Sequence, residues 1–538
     1  MERSWLKYYD DPVPPTIEFE NVPLHTWLDR TAERWPNQTA IKFMTFSMTY
    51  AEFKGATAIA AENLRLLGVN KGDRVALMLP NLPQMIIAYW AVMRVGAIGV
   101  MINPLYMETE LLYQFTDADV RLIITLDSIW PKIAAVWERV PLEKAVIVDT
   151  PGTDAAVEFT QDQIMPWKTL LKPNNGYTCN DITTDDLALL QYTGGTTGTS
   201  KGCMLTHGNL NANLEQTEKM FHVLTLGEEK FVGVLPYFHI YGLTVCMNLA
   251  VKMGATMLPL PRFVPQALLQ LFDDEHPTCM PAAPAIFNAL LHQKDIDEHD
   301  LTSLKLCISG SAPLPVKQLK DFEKRTGAII SEGYGLTEAS PVTHFNPVIK
   351  KRKPGSIGLP LPSTDAKVVD IEDGVTEMPV GEAGELLIRG PQVMQGYYGM
   401  REQSASTLRD GWLYTGDICT MDEEGYFYVV DRKKDMILSG GFNVYPREVE
   451  EVLYKHPKIK EAVVIGVPSE TRGEMPKAFI VLKDGEEATR SEIIHYCREK
   501  LASYKAPKEI EIRTELPKSA VGKVLRRFLR DEELKKRG

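Results

Sequence analysis

The sequence predicts an α/β protein with a large N-terminal domain and a small C-terminal α/β domain. Its 538 residues exceed the size of one ordinary domain. Short apolar runs rich in β-branched residues alternate with helix patterns over residues 21–180, and the same texture resumes near residue 228. Such alternation is typical of parallel strands in layered α/β folds. From about Lys353, short strands and frequent turns indicate a β-rich subdomain.

The N-terminal region contains several clear element patterns. Helices are predicted over residues 24–36 and 50–68, and strands over residues 74–80, 119–127 and 144–150. Their order supports a sheet flanked by helices.

One apolar stretch, residues 85–103, tests whether the chain crosses a membrane. Arg94 lies at its centre and Gly96 follows, which disfavours a lipid-spanning helix because a charged side chain is costly in the middle of a bilayer. We therefore predict a buried helix that ends at Gly96, followed by a buried strand.

A domain boundary is predicted within "VVDRKKDMILSGG", where charged residues join a strand to a glycine pair. This divides the chain into a large domain, residues 1–430, and a small domain, residues 435–538, separated by residues 431–434. In the small domain, Pro446 is expected in the first turn of one helix and Ser491 is expected to cap another.

The composition excludes several classes of protein. The net charge of −12 argues against a nucleic-acid-binding surface. Seven cysteines lie far apart without a CxxC pair, which disfavours a disulfide framework or a zinc site and indicates a reducing, cytoplasmic location. The first 15 residues lack the apolar core of a signal peptide.

The segment "YTGGTTGTSKG", residues 192–202, has the composition of a phosphate-binding loop. It is not a Walker loop, because Lys201 follows Ser200 and precedes Gly202. A strand pattern precedes it and a helix pattern follows, so backbone N–H groups could surround an anion. Glycines permit close backbone approach, threonines add hydroxyl donors and a lysine adds positive charge: Gly194, Gly195, Gly198, Thr193, Thr196, Thr197, Thr199 and Lys201. These features predict a polyphosphate site without naming the reaction.

The loop resembles the phosphate loop of the adenylate-forming superfamily, which includes acyl-CoA synthetases, firefly-type luciferases and adenylation enzymes. Gly194 and Ser200 stand where Ser and Pro are usual, and we expect them to tune the loop rather than abolish its function. The resemblance covers essentially the whole chain, and its texture is most similar to bacterial medium- and long-chain fatty-acyl-CoA ligases. Further motifs follow in the family's order: "LPYFHIYGL", "ISGSAPL", "SEGYGLTEASP", "DGWLYTGDI", "VVDRKKDMI" and "PKSAVGKVLRR".

The resemblance implies an ATP site with Mg²⁺. Tyr334 would present its ring to adenine, Asp417 would accept hydrogen bonds from the ribose hydroxyls, and Arg432 would donate to the same sugar. Glu338 and Thr193 would supply oxygen ligands for Mg²⁺. Without the family, Glu338 would read as a first-turn helix acid, and Asp417 and Arg432 as surface charges. The implied nucleotide-binding residues are Thr193, Gly194, Gly195, Thr196, Thr197, Gly198, Gly310, Ser311, Ala312, Glu332, Gly333, Tyr334, Thr337, Asp417, Arg432 and Lys523.

Three residues are implied in the chemistry. Lys523 would neutralise charge on the carboxylate and α-phosphate in the first half-reaction, and Lys201 would act on the β- and γ-phosphates. His239 would be a steric gate between the two half-reactions, not a general base. Taken alone, Lys523 would be interpreted as a solvated lysine and His239 as a core residue.

The resemblance also implies a mobile small domain and a coenzyme A site. Lys434 matches the hinge position, about which the small domain turns between adenylation and thioester formation. Ser439, Gly440 and Gly441 would then line the pantetheine channel, because adjacent glycines let a narrow arm pass close to the backbone. Alone, they would form an ordinary hairpin turn.

The acyl substrate is expected to be a medium- to long-chain fatty acid, bound near His239, Tyr237, Gly335 and Ser311. No acid near "YFHIYG" or "MPAAPAIF" could pair a substrate ammonium, which disfavours amino-acid activation. Gly335 leaves open a pocket that a nearby Trp closes in acetyl-type synthetases.

Several alternatives stay open at this point. An aryl or alicyclic acid is the alternative substrate, and a non-catalytic nucleotide or lipid sensor is the alternative class. Leu243 stands near the place of a Trp gate in some relatives, which leaves the chain length undecided. A homodimer and a peripheral membrane contact are also left open.

Overall fold

The structure is a computed structural model, which describes residues 3–150, 157, 159–160, 162–193, 200–439, 442–469, 472–519 and 524–537. The chain forms two compact units. The first comprises Arg3–Asp365 and Arg389–Leu413, and the second comprises Ala366–Ile388 and Tyr414–Gly538. The predicted boundary at residues 431–434 concerns a hinge inside the second unit, and it stays a prediction.

Among the described residues, strands alternate with helices along most of the first unit, and further strands belong to the second unit. In chain order they are β1 Thr39–Phe43, β2 Phe46–Thr49, β3 Arg74–Met78, β4 Ile98–Met101, β5 Leu122–Leu126, β6 Lys144–Val148, β7 Ile164–Pro166, β8 Leu187–Thr193, β9 Lys201–Thr206, β10 Lys230–Gly233, β11 Thr256–Pro259, β12 Cys279–Ala282, β13 Leu306–Ser309, β14 Ile329–Gly335, β15 Val342–Phe345, β16 Leu359–Pro360, β17 Asp365–Val369, β18 Gly384–Arg389, β19 Leu408–Arg409, β20 Trp412–Met421, β21 Phe427–Arg432, β22 Ile437–Ser439, β23 Phe442–Val444, β24 Ile459–Ser469, β25 Gly473–Leu482 and β26 Glu509–Arg513.

The α-helices are α1 Thr26–Arg34, α2 Tyr50–Leu66, α3 Pro83–Val95, α4 Glu108–Asp117, α5 Trp130–Ala134, α6 His207–Met220, α7 Leu249–Met253, α8 Pro265–Glu275, α9 Pro284–Leu291, α10 Val316–Thr326, α11 Arg401–Thr407, α12 Pro446–Tyr454, α13 Arg490–Arg498 and α14 Arg526–Arg537. A π-helical segment covers Gly242–Asn248. Short 3₁₀ turns cover Ser4–Tyr8, Trp137–Arg139, Trp167–Leu171, Ile296–Glu298 and Thr337–Ala339.

Two large sheets form the core of the first unit. One has the order β7-β6-β5-β3-β4-β8-β9 and is parallel up to β8. The other has the order β16-β15-β14-β13-β12-β10-β11-β1-β2, and its strands from β14 to β1 are parallel. The predicted layered α/β architecture is confirmed.

The apolar stretch from residue 85 is a buried helix and strand, as predicted. Gly96 ends α3 in the left-handed conformation with φ 79°, and β4 follows. The buried Arg94 is neutralised by Asp29, with 2.6 Å between Nη2 and Oδ1, and it also donates to Thr178 Oγ1 at 2.7 Å. Within the described ranges, no helix combines the length and the apolar character needed to cross a bilayer.

Two further sheets follow β16. Strands β17, β18, β20 and β19 form one sheet in that order, with β21 paired to β20, which confirms the predicted β-rich segment. The other sheet has the order β23-β22-β25-β24, with β26 paired to β25. Its apolar face packs with residues of α12 and α13, including Val449, Leu453 and Ile493.

The helix starts of the second unit are partly as predicted. Pro446 occupies the first turn of α12, where its missing N–H has no helical partner. The cap of α13 is Thr489, whose side chain accepts the N–H of Glu492. Ser491 lies inside the helix, so its predicted capping role was wrong.

Candidate active site

The Gly/Thr loop joins two paired strands. Thr193 on β8 faces Lys201 on β9, and Tyr192 faces Gly202, in an antiparallel register. The predicted passage from strand through loop directly into helix was therefore wrong, because α6 starts only after β9, capped by Thr206. The predictions for the loop concern residues outside the described ranges, namely Gly194, Gly195, Thr196, Thr197, Gly198 and Thr199.

The base of this hairpin is braced by hydroxyl groups. Ser200 Oγ donates to the carbonyl of Thr193, and Tyr113 Oη donates to the carbonyl of Ser200 at 2.7 Å. Tyr192 Oη donates to the carboxylate of Asp117, which lies on the same helix as Tyr113. Proline lacks a side-chain donor, so it could not make the bond of Ser200. One of the two departures from the family pattern thus has a structural role.

Glu338 lies in the 3₁₀ turn that follows β14, together with Thr337. Its Oε1 accepts a hydrogen bond of 2.8 Å from Tyr397 Oη, and its carbonyl accepts the N–H of Met394 at 2.8 Å. Lys201 places its ammonium 4.7 Å from the centre of the Tyr397 ring. The first unit therefore gathers a carboxylate and an ammonium around one tyrosine, which sequence reasoning had missed.

The carboxyl end of β13 lies beside the middle of β14, because Ser309 pairs with Glu332 in parallel register. Residues predicted to bind the nucleotide follow β13 and occupy the second half of β14, as expected for a ligand site near this edge of an α/β sheet. These residues are Gly310, Ser311 and Ala312 after β13, and Glu332, Gly333 and Tyr334 on β14.

Local contacts fix the backbone at this edge. A Cβ on Gly310 would lie 3.1 Å from the Tyr241 ring, and Ser311 adopts a left-handed φ of 71°.

The Tyr334 ring meets His344 edge-on, with 5.9 Å between ring centres. Burial lowers the pKa of His344 to about 3, so this neighbour is uncharged near neutral pH. Glu332 Oε2 accepts the N–H of Gly355 at 2.9 Å.

Gly335 is required by a close backbone approach. A Cβ there would lie 2.3 Å from the carbonyl oxygen of Pro341, which is well inside van der Waals contact. Any side chain at position 335 would therefore point at the backbone of Pro341. This contact explains why position 335 is glycine, and the explanation does not depend on the width of an acyl pocket.

His239 belongs to a turn after β10 that is held by two buried amides. Asn81 Nδ2 donates to the carbonyls of Gly233 and Leu235, each at 2.8 Å, and its Oδ1 accepts the N–H of Tyr237 at 2.7 Å. Gln191 Nε2 donates to the carbonyl of Phe238 at 2.9 Å. His239 Nδ1 accepts the N–H of Tyr241 at 3.3 Å. Asn81 and Gln191 carry no local sequence signal for this role.

The other predicted acyl-site residues nearby are deeply buried. Tyr237 is fully buried, and its hydroxyl has no hydrogen-bond partner among the described residues. Leu243 lies in the buried π-helical segment that follows His239. Such segments are frequent at functional sites, where they change the direction of side chains relative to an α-helix.

In the second unit, Asp417 and Arg432 are register partners on β20 and β21. Arg432 Nε lies 3.1 Å from Asp417 Oδ1, and the exposed fractions of the two side chains are 35% and 5%. The adjacent Gly416 donates its N–H to Glu385 Oε1 at 3.1 Å, and Lys433 Nζ donates to Glu385 Oε2 at 2.8 Å. The buried Glu385, which was not predicted, thus supports the turn that carries Asp417.

Lys434 follows in the turn after β21. Desolvation and the neighbouring charge of Arg432 lower the pKa of Lys434 to about 8. The next residue, Asp435, lies 3.6 Å from Arg526, which also binds the buried Glu450 at 2.7 Å. This ion-pair cluster joins the predicted hinge segment to the start of α14 inside one unit.

Lys523, Gly440 and Gly441 lie outside the described residues, but their neighbours are described. Ser439 is buried on β22 and pairs with Phe442 of β23 in antiparallel register. Lys518 and Val524 form an antiparallel bridge, and Leu525 donates to the carbonyl of Pro517 at 2.8 Å. The chain on both sides of Lys523 is therefore tied together.

The chain matches two protein-family models. Residues 28–398 match the AMP-binding enzyme family, and residues 448–523 match the AMP-binding enzyme C-terminal domain. A long-chain-fatty-acid–CoA ligase of Bacillus subtilis is 46% identical over 99% of this chain and 98% of its own length.

Solved structures of related enzymes share the fold. ATP-bound MatB of Rhodopseudomonas palustris is 30% identical with a TM-score of 0.86, over 95% of this chain and 99% of that one. The anthranilate CoA ligase AuaEII, in complex with anthranoyl-AMP, is 29% identical with a TM-score of 0.87, over 96% of this chain and 98% of that one.

Proposed function

The chain belongs to the AMP-binding enzyme family, and from that premise we propose that it is an ATP-dependent long-chain fatty-acyl-CoA ligase. The observation that carries this proposal is the 46% identity, over 99% of the chain, to a protein named as such a ligase. The contacts of Lys201 and Glu338 with the same tyrosine in the first unit support it, because an ammonium and a carboxylate suit a magnesium–polyphosphate ligand.

The proposed reaction has two steps. In the first, a carboxylate oxygen of the fatty acid attacks the α-phosphorus of ATP, and pyrophosphate leaves to give acyl-AMP. In the second, the thiolate sulfur of coenzyme A attacks the acyl carbonyl carbon, and AMP leaves with the bonding electron pair. The products are acyl-CoA, AMP and pyrophosphate.

The residues of the first unit are proposed to bind the phosphates and the adenine. Thr193 and Lys201 flank the phosphate loop, and Tyr334 comes two residues after Glu332, whose pairing partner Ser309 directly precedes Gly310–Ala312. Glu338 and the hydroxyl of Thr193 are hard oxygen donors that fit Mg²⁺, which would neutralise phosphate charge when bound. His239 is proposed to gate the acyl carboxylate, at a turn fixed by Asn81 and Gln191.

The residues of the second unit are proposed to bind the ribose and coenzyme A. The Asp417 carboxylate is already oriented by Arg432, which leaves less conformational freedom to lose when a sugar binds. Lys523 is proposed to act on the carboxylate and α-phosphate, and Lys434 to be the hinge. Ser439, Gly440 and Gly441 are proposed to line the pantetheine channel. A large domain 1–430 and a mobile domain 435–538 are part of the same proposal.

Three properties of the protein in the cell complete the proposal, each with its own test. A cytoplasmic location follows from the cysteine pattern and is tested by cell fractionation. A homodimer is tested by sedimentation velocity, and peripheral membrane contact is tested by co-sedimentation with anionic lipid vesicles.

ATP–pyrophosphate exchange driven by added acids tests the proposed function. Alkyl acids of increasing chain length are expected to support exchange, with a maximum among the longer chains. Exchange with benzoate-like acids but not alkyl acids would favour the aryl or alicyclic alternative. Absence of exchange with every acid would contradict an adenylating enzyme.

A further inference from the structure

Tyr397 is fixed to the strand that begins at Lys201. Its segment pairs with β9 through three backbone hydrogen bonds: Met204 N–H to Gly396 at 2.9 Å, Gln395 N–H to Met204 at 3.0 Å and Tyr398 N–H to Gly202 at 2.8 Å. This pairing holds the Tyr397 backbone opposite Cys203. The position of its side chain is thus tied to the base of the phosphate-loop hairpin.

Two opposite charges contact different parts of the Tyr397 side chain. The hydroxyl donates to Glu338 Oε1 at 2.8 Å, whereas the Lys201 ammonium lies 4.7 Å from the ring centre. A ring face attracts a cation through its quadrupole, and a hydroxyl satisfies one lone pair of a carboxylate. Both charged residues are described, and they form no ion pair with each other.

We propose that Tyr397 is a positioning residue, which keeps the Glu338 carboxylate and the Lys201 ammonium oriented and apart so that both can act on a magnesium–polyphosphate ligand. Without the hydroxyl, Glu338 could turn toward Lys201, and the resulting ion pair would compete with both the metal and the phosphates. This inference rests on the proposed function for the roles of Glu338 and Lys201.

The chemistry of the hydroxyl is suited to this task. A phenol is a good hydrogen-bond donor, and the Tyr397 hydroxyl donates to Glu338 Oε1 at 2.8 Å. Glu338 is thereby held by a charge-assisted hydrogen bond, which is stronger than a neutral one.

The test compares Tyr397→Phe with the wild type in ATP–pyrophosphate exchange at varied free Mg²⁺. The phenylalanine keeps the ring face for Lys201 and removes the hydroxyl, which donates to Glu338 and also interacts with Thr407. We expect the half-saturating Mg²⁺ concentration and the KM for ATP to rise about tenfold, as for loss of a hydrogen bond to a charged group. Conversion of supplied acyl-AMP and coenzyme A to acyl-CoA should stay within about twofold, because that step needs no metal-bound triphosphate.

Tyr398→Phe is the matched control, since it removes a hydroxyl from the adjacent residue, and it should leave the Mg²⁺ dependence unchanged. A double-mutant cycle with Glu338→Gln separates positioning from packing. If Tyr397 acts through Glu338, the double variant requires no more Mg²⁺ than Glu338→Gln alone. Additive effects, or a Tyr397→Phe enzyme with wild-type Mg²⁺ dependence, would overturn the inference.

Failure of the proposed function gives a different result. In that case the wild type itself would show no acid-dependent exchange, whatever the Mg²⁺ concentration. A wild type that exchanges normally, beside a Tyr397→Phe variant that is indistinguishable from it, would reject the role of Tyr397 alone.

Discussion

Arg432 Nε lies 3.1 Å from Asp417 Oδ1, across neighbouring antiparallel strands. The pair is asymmetric, because the carboxylate is almost fully buried while the guanidinium is partly exposed. An almost fully buried carboxylate that is already oriented is well suited to accept hydrogen bonds from a diol. This relationship supports the proposed ribose site more directly than the motif alone.

Asp417→Asn should raise the KM for ATP by about 100-fold, because the variant loses charge-assisted hydrogen bonds worth about 2–3 kcal/mol. Steady-state exchange at varied ATP measures this change. Glu423→Gln removes an exposed acid between the same two strands and serves as the control. An Asp417→Asn enzyme with the wild-type KM would reject the ribose assignment.

Lys523→Ala should nearly abolish acyl-AMP formation while sparing the conversion of supplied acyl-AMP to acyl-CoA. The reason is that its proposed charge neutralisation serves only the first half-reaction. Separate assays of the two half-reactions measure the difference, with the exposed Lys535→Ala as the control lysine. Equal loss in both assays would show that Lys523 has another role.

Gly335→Ala should destabilise the protein by about 1–3 kcal/mol, since the new methyl group would overlap the backbone of Pro341. Gly55→Ala is a matched control, because Gly55 lies within α2 and a Cβ there meets nothing within 4 Å. That control should be neutral or slightly stabilising. Urea denaturation compares the two variants. A stable Gly335→Ala enzyme with altered chain-length preference would instead favour the open-pocket explanation.

The stability of the first unit should fall as the pH is lowered from 7 to 5. Burial lowers the pKa of His207 to about 3, against about 6.5 in the unfolded chain. Between these values the unfolded state binds a proton that the folded state does not, so the free energy of unfolding decreases as the pH falls. For His207 the decrease by pH 5 is about 2 kcal/mol.

Urea denaturation at pH 7 and pH 5 measures this effect. His207→Gln should show a smaller pH dependence than the wild type, whatever its stability at pH 7. His495→Gln, whose parent side chain is 78% exposed, should keep the wild-type dependence. An unchanged dependence in His207→Gln would contradict the assignment.

Local sequence patterns predicted the layered α/β architecture and several helices and strands of the chain. The helix that ends at Gly96 and the one that begins at Pro446 follow from residue preferences within a few positions. Strand β9 was missed because "KGCMLT" is short and directly precedes a strong helix pattern. Its pairing with β8 depends on the register between the two strands, which composition alone does not reveal.

Residues that support the site through distant contacts could not be predicted. Asn81 binds the turn at Tyr237, which is 156 positions away, and Tyr397 binds Glu338, which is 59 positions away. The topology of the fold decides which residues meet over such sequence separations. No local pattern in a single sequence identifies these partners. The same applies to Gly335, whose need for a hydrogen side chain depends on the backbone of Pro341.

The central claim is that the acid is activated as an acyl adenylate. It is tested most directly with a long-chain fatty acid labelled with ¹⁸O in its carboxylate, incubated with ATP, Mg²⁺ and coenzyme A. Because a carboxylate oxygen attacks the α-phosphorus and leaves with AMP, mass spectrometry should find one ¹⁸O in the AMP and acyl-CoA as the other labelled product. Label in inorganic phosphate with ADP as the nucleotide product, or acyl-CoA formed beside unlabelled AMP, would contradict the account.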